Sequence, residues 1–374
     1  LTIYLDNLAA TPIDPRVVEA HRASMLAYTG NPHSAEHSVG AEAQAAIDNS
    51  AMTIAGALGM DSSEVTFTPG ASAALWLAVE DAIARAGSRP ARIAATAVEH
   101  PALLAALRHA QRAGTVSLMI VPVDGTGAPC LDRVEEIIAG GVDLLCTMAA
   151  NNEVGTVSNL CAIAGIVDRY GTRHLIDASQ AAGRVEPTTI PAADIVIVSG
   201  AKAYGPRRVG AMIGSLTARA RQLGHDVFGS PDAPAAIALA TAIALRREER
   251  GPDEDRISAM RDTLEARLID AVPGLRVNGS RERLAGSLHV STPHISGEAA
   301  VARLWGQVAL STGAACQSGV PGPSHVLSAM GVEEWVADGA VRIGVGKFNK
   351  PEEIELAAEM IAAALRSEPI RKTA

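Results

Sequence analysis

Four short polar clusters carry the residue types that acid–base and covalent chemistry require. They are Glu99-His100, Asn151-Asn152-Glu153, Asp177-Ala178-Ser179-Gln180 and Ser199-Gly200-Ala201-Lys202. Each follows a short apolar run and so stands where a buried strand gives way to a loop. Lys202 is informative because the chain has 28 Arg but only 4 Lys, the others being Lys347, Lys350 and Lys372. Each residue alone also has an ordinary structural use. Asp177 could cap the following helix, His100 before Pro101 could start one, and Asn152 and Gln180 could serve turns. A fifth segment, Ser311–Gly319, holds Cys316 among small residues and glycines. A thiol nucleophile that must reach a substrate and withdraw needs such an exposed, mobile setting. Cys130, Cys146 and Cys161 lie in apolar or element-forming sequence and read as buried small hydrophobes. The four cysteines fit neither a disulfide framework nor a C-x-x-C metal site, and no metal is expected.

A lysine able to form a Schiff base and an aspartate able to oppose a protonated pyridine nitrogen are what pyridoxal 5′-phosphate needs. Lys202 and Asp177 are that pair. An imidazole such as His100 would stack on the ring, and Gln180 would donate to its phenolic oxygen. Thr68-Pro69-Gly70-Ala71-Ser72 leads into a helical pattern, whose first N–H groups, with the Ser72 hydroxyl, form a phosphate cup.

The elements that must position these groups alternate along the chain. Strands are predicted at Val65–Thr68, Arg92–Thr96, Val116–Val121, Asp143–Thr147, Arg173–Ile176, Asp194–Val198 and Val209–Gly214. Helical patterns fill the gaps at Ser72–Ala86, Pro101–Ala113, Leu131–Ala139 and Leu160–Tyr170. Continuous apolar strands in β-then-α order predict an α/β fold, a mostly parallel sheet with helices on both faces. Its ligands bind beyond the carboxyl ends of the strands, where the four clusters would converge. Near residue 250 the charged run Arg246–Arg250 and Gly251-Pro252 interrupt a helical region. A helix at Asp255–Ala271, strands at Leu275–Val277, Gly286–Val290 and Ala340–Val345, and a last helix at Pro351–Leu365 follow. The expected organisation is a large domain over 13–250 and a smaller α+β domain from 1–12 and 251–374.

Composition bounds the function. The 374 residues are 48% hydrophobic, which excludes low-complexity disorder. Trp, Tyr and Phe number only 3, 4 and 3, so the core must be aliphatic. A formal charge of −9 gives no overall basic surface for nucleic acid or anionic lipid, and no direct binding to either is expected. The longest apolar run, Pro234–Leu245, is shorter than the roughly 20 residues a bilayer span needs. Leu1–Asp6 lacks the regions of an export signal, so a cytoplasmic location is expected.

Several motifs together resemble the cysteine desulfurases of the NifS/IscS class. They are Tyr4-Leu5-Asp6-Asn7 with Ala10-Thr11-Pro12, Asn31-Pro32-His33-Ser34, Glu99-His100, Asn151–Gly155, and Asp177–Gln180. Ser199-Gly200-x-Lys202 with Tyr204-Gly205-Pro206, Gly313–Cys316 with Pro323–Leu327, and Val341-Arg342-Ile343 complete the series. The order and spacing match from residue 4 to about 350. The resemblance implies a fold-type I pyridoxal-phosphate enzyme and a homodimer. It implies a reaction that converts L-cysteine to L-alanine and leaves a persulfide on Cys316 for a sulfur-acceptor protein. It assigns Lys202 as the Schiff-base lysine, Asp177 as the pyridine partner, and His100 as the stacking residue and acid–base group. Gln180, Ser199, Ala71, Ser72 and Asn152 become cofactor contacts. Arg342, with Asn152, becomes the holder of the substrate carboxylate, a task that suits an Arg fork. The loop after Cys316 has the length of the longer, group I form.

The chain departs from that pattern at the phosphate. Ala201 replaces the family's His before the lysine, Ser72-Ala73 replaces Thr-Glu, and Trp76 replaces an Asn. Gly229-Ser230-Pro231-Asp232 stands where the family has Arg-Ser-Gly-Thr. Two lost hydrogen bonds to a charged phosphate would weaken binding about a hundredfold or more. Two other readings follow: a cysteine or selenocysteine lyase that releases its product directly, and a non-catalytic scaffold or sulfur-relay subunit. The pathway fed by the sulfur (iron–sulfur assembly, tRNA or DNA thio-modification, natural-product synthesis) is not written in these residues.

Overall fold

The computed structural model describes residues 2–60, 64–312 and 324–366. Its strands are β1 (Ile3–Tyr4), β2 (Val65–Thr68), β3 (Ala91–Thr96), β4 (Val116–Val121), β5 (Leu144–Met148), β6 (Arg173–Asp177), β7 (Ile195–Ser199), β8 (Gly210–Ile213), β9 (Arg276–Val277), β10 (Ser287–Ser291), β11 (Val308–Ala309) and β12 (Ala340–Gly344). The helices are α1 (Pro15–Ala27), α2 (Ser38–Ala57), α3 (Ala71–Ala86), α4 (Pro101–Arg112), α5 (Leu131–Ala139), α6 (Leu160–Tyr170), α7 (Ala218–Phe228), α8 (Ala233–Ala271), α9 (Gly297–Arg303), α10 (His325–Ala329), α11 (Glu334–Asp338) and α12 (Pro351–Arg366).

Seven strands form the main sheet in the order β2-β8-β7-β6-β5-β3-β4. The pairs β4–β3, β3–β5, β5–β6 and β6–β7 are parallel, whereas β8 pairs antiparallel with both β7 and β2. Strand side chains alternate between faces, and here both faces are dry. Along β7, Ile195 and Ile197 enter a core shared with α3, α4 and α7, while Val196 and Val198 enter one shared with α5, α6 and α8. The strands begin and end within a residue or two of their predicted limits, because a strand covered on both faces reads as an uninterrupted apolar run.

The cysteines differ in part from expectation. Cys146 is buried in β5, where burial raises its thiol pKa well above the ordinary value. Cys161 is exposed and Cys130 only half-buried. Leu160, Ile163, Ala164, Ile166 and Val167 form the buried face of α6. Cys161, one residue on from Leu160, turns toward solvent.

A second, antiparallel sheet, β12-β10-β9, packs with α9, α12 and the C-terminal half of α8 around Leu264, Leu268, Leu288, Val341 and Ile361. Ile3 and Leu5 lie in this same core, and β1 pairs with β11 beside it. The interruption expected at 246–252 does not occur, since α8 runs 39 residues through Gly251 and Pro252. The position at 250, where a domain boundary is expected, therefore falls inside one helix that serves both cores.

Proline inside a helix removes a hydrogen bond and clashes with the preceding turn. Ion pairs bridge the weak point. Arg246, 1% exposed, donates to Asp253 at 2.6 Å and to Glu254 across the proline. Replacing Arg246 with Leu takes its ion pair from Glu254 and leaves Asp253 only the longer contact to Arg256, at 3.5 Å. Chemical denaturation is expected to show a loss of about 3–5 kcal/mol, the cost of breaking a buried pair from one side. A change under 1 kcal/mol would mean that packing alone holds the helix.

Candidate active site

The parallel strands all end at one edge of the sheet, and the polar clusters follow them there. His100 lies just past β3, Met148 ends β5, Asp177 ends β6 and Ser199 ends β7. A short 3₁₀ turn, Gly200–Lys202, then carries the lysine. Opposite these ends, Gly70 starts α3 at φ +114°, a backbone that L side chains rarely adopt. Gly210 of β8 lies so close that an added Cβ would stand 2.9 Å from the Gly70 carbonyl carbon and 3.0 Å from the Ala71 nitrogen. These two glycines bring the helix start against the sheet.

A cavity of about 230 Å³ results. Ala71, Ser72, His100, Asn152, Asp177, Gln180, Ser199 and Lys202, all expected from sequence to hold the cofactor, line it. Leu75, Met148, Ala150 and Ser179 complete much of the wall. Asn152 is 4% exposed, and neither its amide oxygen nor its amide nitrogen has a hydrogen-bond partner. Buried amides seldom remain so, and an unsatisfied pair facing a cavity marks a ligand position. A lysine, a buried carboxylate, an imidazole and a helix N-terminus around one cavity form a donor set that fits pyridoxal phosphate.

The charges are set by their surroundings. His100 caps α4, its Nδ1 accepting the Ala102 N–H at 3.1 Å, so the neutral ring keeps its proton on Nε2. Burial lowers the His100 pKa; Asp177 opposes that shift, and Lys202 and His325 add to it. Asp177 is 5% exposed and accepts the Ser179 N–H at 2.9 Å. Lys202 Nζ donates to the carbonyls of Leu8, at 3.0 Å, and Ala9.

The turn after Lys202 is strained. Tyr204 sits at φ +58°, sparsely populated for a residue with a side chain. Three hydrogen bonds and two cations hold it. Its N–H donates to Thr11 Oγ1 at 2.8 Å, its carbonyl accepts the Asp14 N–H at 2.9 Å, and its hydroxyl accepts the Lys347 N–H at 2.8 Å. Arg246 and Lys347 stand 5.3 Å and 4.9 Å from the ring centroid, within cation–π range.

Two site residues of the sequence reading are not part of this wall. Arg342, on β12 and 1% exposed, reaches Asp6 at 3.0 Å, Ser311 Oγ at 2.8 Å and the Asn152 carbonyl at 3.2 Å. It supports the Asn152 turn from behind and does not line the cavity. Cys316 lies outside the described residues. Of the departures at the phosphate, Asp232 is the N-cap of α8, accepting from Ala235, and Ser230 contacts His33 Nδ1 at 3.2 Å. The carbonyl of Ala201 accepts the Thr11 N–H at 2.9 Å.

Behind the wall lies a layer of buried polar groups: Glu99, Glu153 and His325 stand in clusters and motifs that the sequence marks without giving them a task, and Arg184 stands in none. Glu99 accepts Thr96 Oγ1 at 2.6 Å and the Met148 N–H at 2.8 Å, but its Oε2 has no partner. Burial, reinforced by the Asp177 charge, pushes its pKa up to about 8. Glu153, raised to about 7 by burial, accepts the Ser324 hydroxyl. His325 Nε2 lies 3.0 Å from the Glu99 carbonyl. Arg184 contacts Gln180 and the Lys202 carbonyl. Nothing distinguishes Arg184 by type among 28 arginines, and only its place just after Asp177–Gln180 could have marked it.

The chain matches the aminotransferase class-V family over residues 3–225. It is 31% identical over 369 residues to a cysteine desulfurase of Mus musculus, covering 96% of this chain and 80% of that protein. To the cysteine desulfurase IscS of Rickettsia bellii (strain OSU 85-389) it is 30% identical over 377 residues, covering 98% and 91%. A solved NifS-like protein superposes with a TM-score of 0.85 at 28% identity, covering 98% of this chain and 99% of that one. A structure of SspA in complex with cysteine gives a TM-score of 0.76 at 25% identity, covering 93% and 100%.

The raised pKa of Glu99 makes stability depend on pH. Between the unfolded value near 4.5 and about 8, the folded protein binds the extra proton, so stability falls as pH rises through this window. Glu99→Gln cannot titrate. Denaturant melts at pH 5.5 and 8 should show the wild type losing stability relative to the variant, on the order of a few kcal/mol. Parallel losses in both proteins would mean that Glu99 is already ionised at pH 5.5.

Proposed function

The chain belongs to the aminotransferase class-V family, among its cysteine desulfurases, and we propose on that footing that it converts L-cysteine to L-alanine with pyridoxal phosphate. The observation that carries this reading is that Lys202, Asp177 and His100 line one cavity at the carboxyl ends of parallel strands, facing the start of α3. Bound there, the cofactor supplies an electron sink for cleavage at the substrate's side chain.

The residues of the chain divide the remaining work. Lys202 holds the cofactor covalently and, when displaced, offers an amine for proton transfer. Asp177, buried at the end of β6, keeps a positive charge on the pyridine nitrogen. His100 stacks on the ring; being neutral when buried, with its proton on Nε2, it can pass that proton to or from the substrate. The backbone N–H groups at Ala71 and Ser72, with the Ser72 and Ser199 hydroxyls, receive the phosphate. The free amide of Asn152 binds the substrate carboxylate, and Arg342 acts on that group through the Asn152 turn and its positive charge.

The Cys316 thiolate attacks the substrate sulfur. The carbon–sulfur bond breaks, its electron pair stays with the substrate carbon, and that carbon takes up a proton to become the methyl group of alanine. Cys316 keeps the sulfur as a persulfide, which a thiol of an acceptor protein then removes. A homodimer suits the apolar residues that α1 leaves exposed, Val18, Met25 and Leu26. No single helix among the described residues is long and apolar enough to cross a membrane. A cytoplasmic, reducing setting suits a thiol that must be regenerated at each cycle. The scaffold reading loses one of its motives, since Asp232 is occupied as the cap of α8.

Purified protein supplied with pyridoxal phosphate should show a visible absorbance band that changes on addition of L-cysteine, with alanine formed. Lys202→Ala should abolish the band and the alanine. Cys316→Ser should keep the band and lose roughly 100-fold or more of the alanine formation. Retained turnover with free sulfide in Cys316→Ser would replace this reading with a lyase. Absence of the band in the wild type would reject the enzyme altogether.

A further inference from the structure

Arg184 leaves the turn after β6 and makes three hydrogen bonds with site-forming groups. Nη1 donates to Gln180 Oε1 at 3.2 Å, and Nη2 donates to the carbonyls of Lys202 at 2.7 Å and Asn7 at 3.3 Å. On its other side Gln180 donates from Nε2 to the Leu8 carbonyl at 2.8 Å, the same oxygen that accepts Lys202 Nζ at 3.0 Å. Gln180 and Lys202 are thus tied together twice, side chain to side chain at the Leu8 carbonyl and through the guanidinium to the Lys202 carbonyl.

A guanidinium has only donors and a carbonyl only acceptors. Placed on opposite sides of the Gln180 amide, they leave it one orientation, with Oε1 toward Arg184 and Nε2 toward Leu8. An amide nitrogen carries two hydrogens, and Leu8 takes one. The other belongs to a side chain that lines the cavity. The guanidinium is fixed in turn. Burial pulls the Arg184 pKa down, and the charges acting on it are those of Tyr204, Glu254 and Arg246. Gly183, at φ +69°, brings this turn so close to α8 that a Cβ would stand 2.4 Å from Arg246 Cβ.

We propose that Arg184 is a positioning residue of the cofactor site, which by holding Gln180 Oε1 and the Lys202 carbonyl together makes Gln180 a hydrogen-bond donor to the ring oxygen beside the lysine. The inference rests on the function proposed above and assigns this arginine a task within it. Arg184 does not line the cavity and acts on the ring oxygen only through Gln180.

The test is the pH titration of the visible absorbance band of the holoenzyme. A ring oxygen that loses its donor becomes a stronger base, so the midpoint of the band rises. Arg184→Met, similar in length but without donors, should raise it by about half a pH unit or more, and Gln180→Leu should do the same. In the double variant the shift should equal that of Gln180→Leu alone, because Arg184 has then lost the group through which it acts. An unchanged midpoint in Arg184→Met overturns the inference, as does an undiminished shift in the Gln180→Leu background. Arg184→Lys is titrated in both backgrounds as well, so that the same comparison decides the matter if the Met variant does not fold. A wild type without a visible band would instead overturn the function, an outcome distinct from either of these.

Discussion

A strand covered on both faces admits a polar group only where it ends or where a neighbouring strand supplies a partner, as Thr147 of β5 does for His174 of β6 at 2.8 Å, and that constraint organises this molecule. Ile195 through Val198 alternate between two dry cores, as do Leu144 to Cys146 and Leu175 with Ile176. An ionisable side chain inside one of these strands is cut off from water and is driven to its neutral form, as burial drives His174. The first tolerant positions are at the carboxyl ends, occupied by Met148, Asp177 and Ser199 and continued by Lys202. Because these strands are parallel, their ends coincide, and the chemistry collects along one edge.

The N-terminal segment joins that edge to the second core. Ile3 and Leu5 are buried with the second sheet, while Leu8, Ala9, Thr11 and Asp14 supply partners to Lys202, Gln180, Tyr204 and Lys347. Asp6 meets Arg342 from β12, and Arg342 meets the Asn152 carbonyl. Residues from both ends of the chain therefore fix the same cavity. The strain at Tyr204 persists because contacts from three separate segments oppose its relief.

Behind the wall, burial shifts the acids and bases toward their neutral forms. Glu99 and Glu153 are pushed up and His100 and His325 down, in each case chiefly by loss of water. Groups that titrate near neutrality can exchange protons at little cost, a property suited to chemistry in which protons move at each turnover. The same burial lowers stability as pH rises through the range in which Glu99 and Glu153 ionise.

The sequence by itself determined the strands, the mostly parallel character of the sheet, and the four clusters at their ends, because continuous apolar runs and the residues following them are local properties. The antiparallel place of β8 between β2 and β7 was decided by the tertiary structure. Lys202, Asp177, His100, Gln180 and Asn152, each in a cluster after an apolar run, line one cavity. The sequence misjudged α8, where the charged run at 246–250 reads as a break. Only the tertiary structure shows Arg246 buried and paired across Pro252. The sequence also could not set Cys161 apart from the buried Cys146, since Cys161 stands in a run of α6, Leu160 to Val167, that is apolar or small on its exposed face as well as its buried one. The tertiary structure alone decided the uses of Arg184, Glu99, Glu153 and Leu8. Each acts through a partner at least 49 residues away in the chain or, for Arg184, through Lys202 across a different strand, and such pairings exist only once the sheet has closed.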